Sequence, residues 1–375
     1  MVATTFDNRI NRLKSRRKGY TAIAGMDSML ESKQVLLNKS QQQEVWENRA
    51  TGKNATRYAL GAMQEVDPTY TRISIETAER IENQLKNRLS AQGIDAEFRL
   101  QGSVPLNIHI KGVSDVDLLA IDSQMFVYDN SGLKASTYTP TTSSSIAVLK
   151  NLRHEAEIAL TSAFPAATVR KDNAKSIKVT GGSLSRDVDV VPSIWWNTEY
   201  YQQTNLESDR GVAILDKTIP EKILNTPFLH IKLITERCNI TYGGLRKSIR
   251  MLKNIKADSE EEGTKINLSS FDIAAAMYHA NDTNLQLGSY YELAILAETQ
   301  RWLDYLYNNF EYAKTLDVPD GTRKIFNDEK KNGLLFLSLQ VDDLLREVGQ
   351  EISPYFTSET NIQQVRDIIK TIKVE

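Results

Sequence analysis

Three short segments carry residue types and spacings that could do chemistry: Gly102-Ser103, Asp115-Val116-Asp117, and Asp187-Val188-Asp189-Val190-Val191-Pro192. In a strand, residues two apart share a face, so Asp115 and Asp117 project together while Val116 and Leu118 turn to the other side. Two carboxylates about 6 Å apart repel by roughly 3 kcal/mol at an effective dielectric near 20, and such a pair needs a cation. Hard oxygen donors suit Mg²⁺ or Mn²⁺, and Mg²⁺ usually takes one or two carboxylates and completes its shell with phosphate oxygens. Asp189 shares a strand face with Asp187, so a neighbouring strand can bring a third carboxylate to the pair. Two ions about 3.5–4 Å apart would then fit. Gly102 lets the backbone approach a phosphate without a Cβ clash, and Ser103 offers an amide and a hydroxyl to phosphate oxygens. The sequence contains no G-x-x-x-x-G-K-[ST] loop, which argues against a P-loop ATPase.

The elements that must position these residues follow from periodicity. Asp67-Pro68 reads as an N-cap and first helical residue, followed by Ile73, Ala78, Ile81, Leu85 and Leu89 near helical spacing until Gly93. Ala96, Phe98 and Leu100 then alternate with polar residues, predicting a strand that delivers the chain to Gly102-Ser103. Two further strands are expected over 108–111 and 115–122, separated by Gly112. Nine of the fifteen residues from 131 to 145 are Ser or Thr, predicting an exposed loop, and a helix follows over 146–163. Strands are expected at 168–170, 176–180 and 185–191, with Gly181-Gly182 where a tight turn needs positive φ. After about Pro227 the pattern turns helical: 227–239, 244–257, 270–280, 289–313, 329–348 and 360–373. The predicted fold is α+β and bilobed, with a mixed-sheet lobe over 1–225 that includes N-terminal helices, and an all-helical lobe over 226–375.

Within the 244–257 helix, Leu245, Ile249 and Leu252 form a packing stripe, and Arg246, Arg250 and Lys253 form a cationic stripe one residue later. A second basic cluster, Arg9, Arg12, Lys14, Arg16, Arg17 and Lys18, reads as a solvated helix face, with phosphate contact as the alternative. Over the whole chain of 375 residues, 46 Lys and Arg nearly cancel 48 Asp and Glu, so the basic excess of a long-duplex binder is missing. One cysteine, Cys238, and four histidines leave no disulfide framework and no zinc cluster. The N-terminus lacks the apolar core of a secretion signal and no window reaches 18 uninterrupted apolar residues, so a cytoplasmic protein without membrane contact is expected.

Gly102-Ser103, Asp115-x-Asp117, the Val-Asp-Val-Val-Pro run ending at Pro192, and Ile249-Arg-Met-Leu-Lys253 together resemble the polymerase-β-type nucleotidyltransferases. Within that superfamily the chain resembles the cGAS/DncV-like nucleotidyltransferases over roughly residues 67–325, including Asn225-Thr-Pro-Phe-Leu-His230, Ser269-Ser270-Phe271 and Asp317-Val-Pro-Asp-Gly321. The resemblance implies that Asp115, Asp117 and Asp189 hold Mg²⁺ or Mn²⁺ and carry catalysis, and that Gly102 and Ser103 hold the triphosphate. It further implies that Lys253 and Ser270 contact phosphates and that Phe271 stacks on a base. Asp187 competes for the third ligand, but the family pattern selects the Asp three residues before Pro. After Gly-Ser the family often has a small residue and Thr, where this chain has Val104-Pro105-Leu106-Asn107. The implied activity is synthesis of a cyclic di- or trinucleotide messenger from NTPs by a monomer, feeding a downstream effector in antiphage signalling. A linear RNA or tRNA nucleotidyltransferase, an oligonucleotide synthase and a nucleotidylating toxin are the alternatives. For base selection, Trp195, Trp196, Tyr200, Tyr201 and Tyr278 are candidates for stacking.

Overall fold

A computed structural model describes residues 5–18 and 43–375 apart from residue 358. Residues 1–4 and 19–42 of the region expected to hold N-terminal helices lie outside the described residues. In chain order the first elements are α1 (Thr5–Lys18), α2 (Asn54–Met63), α3 (Pro68–Ala91), β1 (Ala96–Gln101), β2 (Val116–Tyr128) and α4 (Ser145–Ala163). There follow β3 (Thr168–Arg170), β4 (Ile177–Thr180), β5 (Val188–Asn197), the short α5 (Glu199–Thr204), β6 (Gly211–Asp216) and β7 (Glu221–Asn225). The remainder is helical: α6 (Pro227–Ile240), α7 (Gly244–Glu261), α8 (Ser270–Tyr278), α9 (Asp282–Gln286), α10 (Leu293–Asn308), α11 (Phe310–Ala313), α12 (Lys331–Ile352) and α13 (Ile362–Ile369).

The sheet is mixed, as expected, and runs β1-β2-β5-β4-β3, with β6 on β5 and β7 on β6. Among the described residues, the central β2–β5 pair alone is parallel. Alternation decides which way each side chain faces. Val116, Leu118, Val188 and Val190 join the core beneath α3 and α4, together with Ile81, Leu85, Leu152 and Leu160. Leu119, Ile121, Val191 and Trp195 face the opposite way, toward Phe228 of α6. Helix α3 starts where Asp67 predicts, its carboxylate accepting the Thr69 amide at 2.7 Å with Pro68 at the first helical position.

Several expectations are corrected. Residues 108–111 form no strand: Ile108, His109 and Ile110 are all buried, so the apolar alternation marks a loop packed on both sides rather than a half-buried strand. Strand β5 does not end at Val191 but passes through Pro192 to Asn197. Proline is tolerated because β4 pairs with residues 188–190 and β6 with 193–196, so Pro192 sits where the partner on that edge changes. The hairpin β6–β7 was not foreseen, and the helix expected over 289–313 is broken at Asn309.

The N-terminal helices do not join the sheet lobe. Phe6, Ile10, Leu13, Tyr58 and Met63 pack with Ile249, Leu252, Leu296 and Leu344 in the helical core. Arg9, Arg16 and Arg17 of their basic cluster are turned inward rather than solvated. Arg9 and Arg12 bind Glu262, and buried Arg16 pairs with Asp258 and donates to Asn254 at 2.8 Å. Tyr58 adds its hydroxyl to the same Asp258, so α1 and α2 grip the C-terminal half of α7. No described helix is long and apolar enough to cross a membrane.

Candidate active site

Parallel register brings the acidic segments together. Asp117 of β2 lies directly beside Asp189 of β5, and Gln101, the last residue of β1, lies on the other side of Asp117. Neighbouring strands are about 4.8 Å apart, so two carboxylates from far-separated segments meet at the same level of the sheet. Asp115 precedes the first residue of β2, and all three side chains line one cleft of about 480 Å³ between the lobes. Gly102, Ser103, Lys253, Ser270 and Phe271 line it too. Asp187 does not; its backbone carbonyl accepts the Val116 amide at 3.1 Å.

Gly102 adopts φ +75°, and a Cβ there would meet the Asp117 carboxylate oxygen at 2.2 Å. The position therefore requires glycine on both conformational and steric grounds. Beyond Ser103 the chain turns back, with the Ile108 amide bonded to the Ser103 carbonyl at 3.1 Å. The departure at Val104-Pro105-Leu106-Asn107 has a packing reason: Val104 is buried in the sheet-lobe core and Leu106 in the helical core.

The electrostatics are those of crowded carboxylates. Burial pushes the Asp117 carboxyl up to about 7, with Asp189 and then Asp115 adding repulsion. Burial likewise raises Asp189, although Ser176 opposes this by donating to its Oδ1 at 2.9 Å. Lys178 of β4 pairs with Asp115. Among the described residues, no three acidic, histidine or cysteine side chains are already drawn into a metal cage. The donor set nevertheless fits a hard divalent ion: three carboxylate side chains facing one cleft, one of them raised to about 7 by burial and by its two acidic neighbours, a shift that a bound cation would reverse. Lys178 and Ser176 were missed from the sequence, where the signal was polar residues alternating with Ile177 and Val179 on one strand face.

The opposite wall comes from α7 and α8. Lys253 is buried, donating to the Ile108 carbonyl at 2.9 Å and to Ser114 Oγ at 3.1 Å, and burial lowers its ammonium to about 8 while Asp117 opposes that shift. The rest of the cationic stripe is turned to structural use. Arg246 donates to the Leu106 carbonyl at 2.9 Å, and Arg250 to those of Met63 at 2.9 Å and Asn107 at 2.8 Å. The N-cap of α8 is Ser269, in a capping box with Asp272, so the neighbouring Ser270 is not consumed by capping and stays exposed in the cleft. Phe271 stacks on His230 with centroids 4.4 Å apart, and the Arg323 guanidinium lies 5.1 Å from its ring. None of Trp195, Trp196, Tyr200, Tyr201 and Tyr278 is among the residues lining the cleft. Trp195 is buried beneath Arg210 instead.

A bilobed α+β molecule with acidic strand ends facing a helical wall across a cleft of about 480 Å³ has a nucleotidyltransferase architecture. Comparison with known proteins supports this. The cGAS/DncV-like nucleotidyltransferase C-terminal helical domain matches residues 232–337. Cyclic dinucleotide synthase CdnE of Yersinia aleksiciae is 52% identical over 363 residues, covering 94% of each chain. A c-di-GMP synthase of Capnocytophaga granulosa is 33% identical, covering 76% of this chain and 85% of that one. The solved structure of the STING-associated CdnE c-di-GMP synthase from Capnocytophaga granulosa matches with a TM-score of 0.67 at 29% identity, over 91% of this chain and 97% of that one. The chain belongs to the cGAS/DncV-like nucleotidyltransferases, and it is an enzyme of the nucleotidyltransferase class.

Proposed function

We propose that this enzyme joins NTPs into a cyclic dinucleotide and that Asp115, Asp117 and Asp189 carry the reaction. The observation supporting this most directly is the register that sets Asp117 beside Asp189 at the end of the strand leading into Gly102-Ser103. In each of two transfers a ribose hydroxyl oxygen bonds to an α-phosphorus, the bond from that phosphorus to the β-phosphate bridge breaks, and pyrophosphate leaves. The hydroxyl proton passes to Asp189 and on to water. The second transfer, between the ends of the linear intermediate, closes the ring. Mg²⁺ or Mn²⁺ held by the three carboxylates would supply the charge neutralisation and polarisation that phosphoryl chemistry needs.

The chain's own groups do the positioning. Gly102 and Ser103 seat the triphosphate through backbone and hydroxyl donors, and Lys253 and Ser270 approach it from the helical wall. Phe271, already backed by His230, offers an aromatic surface for a base. The product acts in the cytoplasm on a downstream effector in antiphage defence, a role consistent with the STING association of the Capnocytophaga relative.

The test is to incubate the purified protein with Mg²⁺ or Mn²⁺ and labelled NTPs and to weigh the phosphatase-resistant products. A cyclic dinucleotide is expected, and the Asp115→Ala, Asp117→Ala double variant is expected to make none. RNA-dependent extension or labelled protein would instead favour a polymerase or a toxin, and full turnover by the double variant would refute the site.

A further inference from the structure

Asp189 is held from behind by a loop with little apolar anchoring. Residues 171–176 join β3 to β4, and Lys171, Asp172 and Lys175 of that loop are exposed. Arg153, buried on α4, makes most of the contacts that fix it, and Lys217 adds its backbone amide to the Ala174 carbonyl at 3.1 Å and its ammonium to the Lys171 carbonyl. The Arg153 Nη1 donates to the Ala174 carbonyl at 3.1 Å, and its Nη2 faces the carbonyls of Lys171 at 3.2 Å, Asn173 at 2.7 Å and Ser176 at 3.0 Å. Glu157, one turn along α4, anchors Nε at 2.9 Å. One planar guanidinium thus gathers four carbonyls of a six-residue loop, a geometry that a lysine ammonium cannot reproduce.

The loop ends at the active site. The Asn173 side-chain amide reaches Ser176 Oγ at 3.4 Å, and Ser176 Oγ reaches Asp189 Oδ1 at 2.9 Å. With the amide donating, the serine hydroxyl proton is left to point at the carboxylate. The next residue but one, Lys178, delivers its ammonium to Asp115 from the same strand. Displacing the loop would release one carboxylate from its hydrogen bond and shift the cation on another.

We propose that Arg153 is a positioning residue of the transfer reaction, locking the 171–176 loop so that Ser176 fixes the Asp189 carboxylate in the cleft. The proposal rests on the role assigned above to Asp189. Groups that orient metal-binding side chains typically change affinity or activity 10–100-fold when removed. Arg153→Met and Ser176→Ala are therefore expected to lower kcat 10–100-fold while the KM for NTP stays within about threefold, because Ser103, Lys253 and Phe271 are untouched. Mn²⁺ binding in the presence of a non-hydrolysable NTP, followed by the EPR signal of the free ion, should weaken by a similar factor. Since both residues act through one carboxylate, the double variant should be no slower than Arg153→Met alone.

Arg366, buried in the helical lobe against Asp304 and Gln300, supplies the control: Arg366→Met should destabilise the fold and leave kcat unchanged. If Arg153→Met does not fold, Arg153→Lys and Ser176→Ala carry the measurement. Full kcat and unaltered Mn²⁺ affinity in these variants, with Asp189→Ala inactive, would overturn the proposal alone. An active Asp189→Ala would overturn both the proposal and the site on which it rests. Multiplicative losses in the double variant would also overturn it, since they would mean independent routes.

Discussion

Replacing Gly102 by alanine tests the site with one methyl group. At φ +75° an alanine pays roughly 1–2 kcal/mol for the left-handed backbone. The steric effect is more specific. The new Cβ would lie 2.2 Å from Asp117 Oδ2, and opening that contact to an ordinary 3.4 Å moves the carboxylate by about 1.2 Å. Displacements of about 1 Å in a reacting constellation cost on the order of 100-fold, equivalent to about 2.7 kcal/mol of barrier. Gly102→Ala should therefore lose about 100-fold in kcat, measured as pyrophosphate release at saturating NTP, with only a few degrees lost from the melting temperature. Gly93 separates the two effects: it has φ +76°, but a Cβ there would meet nothing within 4 Å. Gly93→Ala should show the same loss of stability with normal turnover. Turnover by Gly102→Ala within threefold of the parent, or an equal loss in Gly93→Ala, would refute the reasoning.

Three further outcomes follow from the same geometry. Asp117, with its carboxyl raised to about 7, favours the folded state when protonated; that contribution is complete below about pH 4 and is lost as pH rises through 7. Asp117→Asn should therefore unfold at higher denaturant than the parent in EDTA at pH 8, by up to about 4 kcal/mol, with the difference shrinking at pH 5. Arg16→Met leaves the fully buried Asp258 without its cation and should cost about 3–5 kcal/mol in urea unfolding. Ser269→Ala should cost about 1 kcal/mol of stability through the lost cap with KM unchanged, whereas Ser270→Ala should raise KM for NTP with stability unchanged, both read by paired melting and initial-rate measurements.

What the sequence made legible was the part governed by short-range rules. Period two fixed which way Asp115, Asp117 and Asp189 point, because Val116, Leu118, Val188 and Val190 had to turn into the core. Asp67-Pro68 marked a helix start through its capping chemistry, which is local. The failures lie where tertiary partners decide. Arg9 and Arg16 look solvated in isolation, since their acids Glu262 and Asp258 are some 240 to 250 residues away. Ile108 to Ile110 carry a strand's hydrophobicity but are enclosed by two lobes, so they need no ladder. Ser270 and Ser269 are indistinguishable by type; only the capping geometry shows which hydroxyl is occupied. Arg246, Arg250 and Lys253 share one spacing, and all three donate to successive carbonyls, Leu106, Asn107 and Ile108, of a loop whose path no periodicity encodes.

The two-residue step from Val104 to Leu106 has a mechanical consequence. One anchor belongs to the sheet lobe and the other to the helical lobe, and two residues of chain span at most about 7 Å. Rocking of one half of the molecule against the other would load this short step, immediately downstream of Ser103, along with the crossings between Met63 and Ala78 and between Ile108 and Val116. The turn proposed to seat the polyphosphate is therefore also one of the joints, and a nucleotide drawing the halves together would pull on the same few peptide bonds that hold it.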